Sequence, residues 1–395
     1  MGKNNIFIEA EYEFKRVRRS ILFRIFAILA LLGAVVYQYS FLSRGDGSGS
    51  INDLLQFHMD WSSQALASSI PFKSAYYFNL IQLLLVVSLV VNDLRKYKIG
   101  TKEALYSHPQ SNREIVTGNF LGKLLVVTLL NGLAFAVSIV INLVLYSHSF
   151  DLSYYLFYWI TLTFPTLVYF LGFSGFMIRW VRNSGMSLIL LVLIFSGLTF
   201  GTAHLLHGLL DPCARYVPNM FSDFTGHVNL ESYLLQRGSV LLAGIGFFIL
   251  SVISYPRIPN GLFVMRKSLW GASVLFVLSG CLAFMYYNHY RVIDNNRKLY
   301  RQVYNENSTY SGTRIVCNDL YVKMLEGGGL TIKSQMEITN GNSERIPLVM
   351  YLNPGLKVSR VEVNGENVLF RRECQAIILD KELAASERCR VVVLY

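Results

Sequence analysis

Charge is scarce in this sequence. Only 15% of its 395 residues are Asp, Glu, Lys or Arg, against about 25% in a typical soluble domain. With 53% hydrophobic residues, that excludes an ordinary soluble globular chain and points to a membrane protein. Chemical signatures are scarce too. The five cysteines form no C-x-x-C pair, which excludes a zinc ribbon or a redox dithiol. No HExxH is present, so there is no helical zinc-peptidase site, and no GxSxG nucleophile turn. The nearest approach to GxxxxGK(S/T) is "GNFLGKL", Gly118 to Leu124, whose glycine spacing is one residue short and whose last residue is Leu. It runs into an apolar stretch and reads as the start of a helix, not a phosphate cradle. No enzyme and no cofactor are therefore expected on this chain. His204, His207, Asp211, Cys213, Asp223 and His227 crowd one region, but their spacing fits no standard metal site, and none is assigned. The first apolar run is too long for a signal peptide and lacks a small-residue cleavage site.

What the chain has is apolar length. A bilayer core of about 30 Å takes roughly 20 apolar residues as a helix. Seven runs approach that: 21–41, 76–91, 121–146, 154–177, 186–206, 240–255 and 269–287. Lys and Arg gather in alternate loops. Lys15, Arg16, Arg18 and Arg19 precede the first run; Arg95, Lys96, Lys98, Lys102 and Arg113 lie between the second and third; Arg179 and Arg182 between the fourth and fifth; Arg257, Arg266 and Lys267 between the sixth and seventh. The positive-inside rule then makes the N-terminus cytoplasmic and the tail extracytoplasmic. Arg291, Arg297, Lys298 and Arg301 follow the seventh run and oppose this orientation. The net charge of +11 sits mostly in these flanks, so the partner it implies is the lipid bilayer, not nucleic acid.

Residues 1–20 form an amphipathic pattern: Phe7, Ala10, Phe14, Val17 and Ile21 recur at helical spacing among charged residues. This predicts an interface helix along the cytoplasmic membrane face. Pro165 is expected to distort the fourth span. From residue 308 to 395 the texture alternates, with "EGGG", "NGNS", "NPG" and "NGEN" as turn signals. That predicts a small antiparallel β domain, with 363–366 as a hairpin. The sequence stops inside a strand-like run, where an edge would lie bare; a truncated domain is expected. A disulfide among Cys317, Cys374 and Cys389 is open if the tail is outside the cytoplasm.

The polar stretch "GTKEALYSHPQSNREI", Gly100 to Ile115, separates two apolar runs. Pro109 stops its first half, and Ser111 with Glu114 makes a capping-box pattern that restarts a helix. Lys102, Glu103, Leu105 and Tyr106 form a mixed polar and apolar knob suited to a partner's groove. The pattern "NDLRKYKIGTKEALYSHPQSNREIVTGNFLGK" resembles the cytoplasmic loop of ABC-2-type transporter permeases. The resemblance implies a six-span half-transporter over 21–256, with a coupling hairpin at 93–120 and a re-entrant outer loop at 205–238. It further implies a separate ATPase subunit carrying ATP and magnesium, and a second permease, identical or homologous. Lys102, Glu103, Leu105, Tyr106 and Arg113 are then the ATPase contacts, and the membrane is the bacterial inner membrane. A seventh span at 257–290 and a linker at 291–307 go beyond that plan. The tail resembles the N-terminal β domain of aminopeptidase N-type zinc peptidases, as in permease–peptidase fusions, without any catalytic motif. The alternatives are a membrane anchor for a peptidase-like ectodomain and a sensor with an outer ligand-binding module. Thr128, Asn131, Ser138 and Asn142 lie on one face of the third span. They line a translocation path or bond between helices.

Overall fold

Backbone that water cannot reach must close its hydrogen bonds internally, and an apolar run in lipid does so as a helix. The computed structural model describes residues 2–42, 66–98, 111–145, 150–181, 183–201, 205–217, 221–222, 226–227, 229–255, 262–307, 313–325 and 329–395. It is mostly helical, with a C-terminal antiparallel β domain, and divides into residues 1–289 and 290–395. The helices are α1 (Gly2–Arg19), α2 (Ile21–Leu42), α3 (Leu66–Lys98), α4 (Asn112–Leu145), α5 (Leu152–Tyr158), α6 (Phe164–Val181), α7 (Ser184–Ser196), α8 (Leu230–Ile253) and α9 (Leu262–Asn307). Among the described residues six helices or joined helices are long and apolar enough to cross a membrane. The pair α1 and α2, bent by 68°, is a further candidate. The bend sits at Ser20, whose hydroxyl accepts from the Phe23 amide at 3.2 Å and so caps α2.

Local chemistry explains several boundaries. Ser111 and Glu114 form the reciprocal capping box: the Glu114 amide donates to the Ser111 hydroxyl (3.2 Å) and the Ser111 amide to the Glu114 carboxylate (2.8 Å). The helix restarted there is α4 itself, running through the third apolar run without a break. Pro165 cannot donate to the preceding turn, and the helix accommodates it as a π turn, Trp159–Thr163, joining α5 to α6. Helices α6 and α8 cross backbone to backbone: a Cβ on Gly172 would lie 2.2 Å from the Gly244 carbonyl oxygen. The 205–238 segment divides. Residues 205–217 are a loop, whereas 230–238 already belong to α8. The expected linker 291–307 is also helical, forming the last turns of α9.

Two short strands, β1 (Phe221–Ser222) and β2 (Gly226–His227), pair antiparallel ahead of α8. The β domain is a sandwich. One sheet has the order β3 (Thr313–Met324), β4 (Leu330–Asn340), β10 (Arg388–Leu394), β6 (Arg360–Val363), β7 (Glu366–Asn367). The other has β5 (Ile346–Tyr351), β9 (Ala376–Leu383), β8 (Phe370–Glu373). Ile338, Leu348, Val363, Ile377, Leu383 and Val391 meet between them. The β6–β7 hairpin turns as expected, with Asn364 and Gly365 both at positive φ (53° and 89°), the requirement of a type I′ turn. One expectation is corrected. The final strand, β10, is no bare edge: it pairs with β4 on one side and β6 on the other through Leu394. A disulfide is not formed either; the cysteines are free. Cys317 lies on β3, opposite Glu337 of β4, whereas Cys389 lies beyond β4 on β10, opposite Ile338. Two strand spacings, about 9.6 Å, exceed what a disulfide spans. Cys374 belongs to the turn between β8 and β9 in the other sheet. Burial raises the Cys389 thiol above its ordinary value, making it a poor nucleophile.

Candidate functional site

The site begins with "GNFLGK", Gly118 to Lys123. The two glycines stand four residues apart on α4 and leave bare backbone on one face. Helix α1 lies on that face. A Cβ added at Gly118 would sit 2.5 Å from Glu9 Cβ, and one at Gly122 would sit 2.6 Å from the Ala10 carbonyl oxygen. The protein-facing side of α1 takes acids together with Val17 of the apolar stripe. Glu9, Glu13 and Val17 are buried against the protein, whereas Phe7 and Ile8 are exposed. The acids turn inward because cations await them.

Lys123 follows Gly122 and is 4% exposed. Its Nζ lies 2.8 Å from Glu13 of α1 and 2.7 Å from Asp93 near the end of α3. Arg16 pairs with the same two carboxylates, with 2.7 Å to Asp93. Two acids and two bases thus close a neutral ring across α1, α3 and α4. Removing one member of such a ring strands a buried charge and costs about 3–5 kcal/mol. Beside it, Asn112 of α4 donates to the Tyr255 carbonyl at 3.4 Å, and Ile115, Val116 and Tyr255 pack together. One end of the helical unit is therefore tied through the first turns of α4.

This ring brackets the expected coupling hairpin. Asp93 lies on its incoming flank and Lys123 just beyond its outgoing flank, residue 120. Lys102, Glu103, Leu105 and Tyr106 fall outside the described residues. Arg113 is exposed in the first turn of α4. Sequence reasoning passed over Glu13, Asp93, Lys123, Gly118 and Gly122 as site residues. A lysine directly after a small-xxx-small pair at the head of an apolar run was the available signal.

The polar stripe of α4 turns inward. Asn131 donates to Gln82 (2.6 Å), and Gln82 donates to Asn79 (2.6 Å). Ser138 meets Ser74 (3.0 Å), and Asn142 donates to the Tyr155 hydroxyl (3.1 Å). Thr128 is half-buried, and its hydroxyl has no hydrogen-bond partner among the described residues. Three of the four residues therefore bond to neighbouring helices. The cavity beside Ser74 and Ser138 has a volume of about 10 Å³, room for no more than a water molecule.

At residues 205–217 the loop is held from several helices. Gln236 donates to the Asp211 carbonyl (2.9 Å), and Arg237 donates twice to the Pro212 carbonyl (3.0 and 2.9 Å). Thr166 donates to the same oxygen (2.8 Å), and Tyr286 donates to the His207 carbonyl (2.5 Å). Asp211, Cys213 and Ala214 are fully buried. Among the described residues no three His, Cys, Asp or Glu side chains gather as a metal site. Comparison with protein-family models and with curated proteins yields no match.

Proposed function

We propose that the helical unit is the permease half of an ATP-driven, ABC-2-type transporter acting as an exporter in the bacterial inner membrane. Two such units, from two copies of this chain or from this chain and a homologue, enclose the passage. A separate ATPase subunit binds ATP and magnesium and docks on the cytoplasmic hairpin through Lys102, Glu103, Leu105, Tyr106 and Arg113. The β domain lies outside the cytoplasm. Thr128 is the stripe residue left to face the passage.

The main support is the ion-pair ring. A push on a hairpin between α3 and α4 must reach the other helices to do work. Glu13, Arg16, Asp93 and Lys123 tie both flanks of that hairpin to α1, which leads into α2. Buried charge pairs change partners in discrete steps, which suits a coupling between two states better than a continuously deformable contact. The loop at 205–217, folded among α6, α8 and α9, fits a gate at the other end of the passage.

Affinity purification of the chain from its native membranes in mild detergent tests this. A P-loop ATPase should accompany it, and the Glu103→Lys variant should reach the membrane normally yet lose that subunit. A preparation free of any nucleotide-hydrolysing polypeptide would sink the reading.

A further inference from the structure

Three of the four edges of the β sandwich carry a recognisable guard against pairing with another strand. β7 is two residues long, β5 contains Pro347, and β8 is the short, charged Phe370–Glu373. The fourth edge, β3, is twelve residues long, contains no proline and is exposed from Arg314 to its end. It carries apolar side chains on both faces: Leu320 (56% exposed), Val322 (59%) and Met324 (79%) on one, Tyr321 (58%) on the other. Its one irregularity, a bulge between Ile315 and Cys317, protects only the first third. From Asn318 to Met324 the edge is regular, with Leu320, Tyr321, Val322 and Met324 exposed and Asp319 and Lys323 as its only charges, one of each sign.

We propose that this edge is the pairing surface for a second copy of the same chain, with β3 against β3, antiparallel about Tyr321. The charges choose both the occupant and the register. A twofold axis through Tyr321 sets Tyr321 against Tyr321, Leu320 against Val322, and Asp319 against Lys323 twice over. Neither Asp319 nor Lys323 makes an ion pair among the described residues, and Asp319 accepts only a long contact from the Cys317 thiol (3.9 Å). An axis between Asn318 and Asp319 would set Arg314 against Lys323, a like-charge clash. An axis between Val316 and Cys317 would match Arg314 with Asp319 but would fall on the bulge, where the ladder is broken. Only the register about Tyr321 combines a regular backbone with matched charge. It joins two five-stranded sheets into one of ten strands and covers Leu320, Val322 and Tyr321 of both copies. The pairing belongs to the β domain and requires no transport role for the helices.

The test uses the full chain in lipid nanodiscs, with its five cysteines replaced and one new cysteine introduced. Under copper phenanthroline oxidation, Tyr321→Cys should give a disulfide-linked dimer, whereas Lys357→Cys, exposed elsewhere on the domain, should not. Adding Asp319→Lys should lower the dimer yield about tenfold. Adding Lys323→Asp to that variant should restore it, which a folding defect would not do. A Tyr321→Cys yield no higher than the Lys357→Cys control overturns the proposal, as does a charge swap without rescue. A dimer held only through the membrane helices would run as a dimer by size with the cross-link at control level. That outcome overturns β3 pairing and leaves the transport reading standing.

Discussion

Lys123 is a buried cation held between two carboxylates. It is almost fully buried, and both of its partners come from other helices. Lys123→Met leaves Glu13 and Asp93 with only Arg16 between them, so it should destabilise the protein by about 3–5 kcal/mol. Lys123→Met with Glu13→Gln restores neutrality and should cost less than Lys123→Met alone. Thermal unfolding of the purified variants in detergent measures both, and a double variant worse than the single one would refute the ring. At this scale the sequence was partly legible. Ser111 and Glu114 could be paired because capping depends on residues three apart. Lys123 was visible as a charge at the head of an apolar run, but its partners lie 30 and 110 positions away, and no local spacing points to them.

At the scale of the elements, glycine decides what touches. Gly122→Val would drive a side chain into the Ala10 carbonyl and should cost about 1–3 kcal/mol through displacement of α1. Gly271→Ala, on α9 with nothing within 4 Å of the added carbon, should lower the unfolding midpoint not at all. Equal losses in the two would mean that α1 does not pack on α4 as described. The loop clamp has its own readout. In a chain whose only cysteine is Cys213, maleimide should label slowly, because the thiol is fully buried. Arg237→Ala should speed labelling severalfold by releasing Pro212. Unchanged labelling would show that the loop is held by other contacts. The helices and the β domain were legible because period 3.6 and period 2 are local. The buried face of α1 was not: its stripe points to the membrane surface, whereas burial of Glu9 and Glu13 beside Val17 depends on Lys123 and on the bare glycine backbone of α4, both about 100 positions along the chain. The interior place of β10 was equally hidden, since strand order depends on contacts 28 to 61 residues apart.

For the whole molecule, the described residues hold six candidate spans and a separate β sandwich. The basic residues of four loops agree on one orientation, and those after the seventh run oppose it. If the hairpin is cytoplasmic, a cysteine placed at Glu103 in a cysteine-free chain should resist a membrane-impermeant maleimide in intact cells and react after permeabilisation. Labelling in intact cells would reverse the topology. In the proposed transporter, work enters through the hairpin between α3 and α4. The most direct measurement is photo-crosslinking in native membranes from an unnatural amino acid at Tyr106. The account predicts an adduct with a P-loop ATPase. The absence of any such adduct, with capture of lipid or a polypeptide that hydrolyses no nucleotide instead, would contradict it.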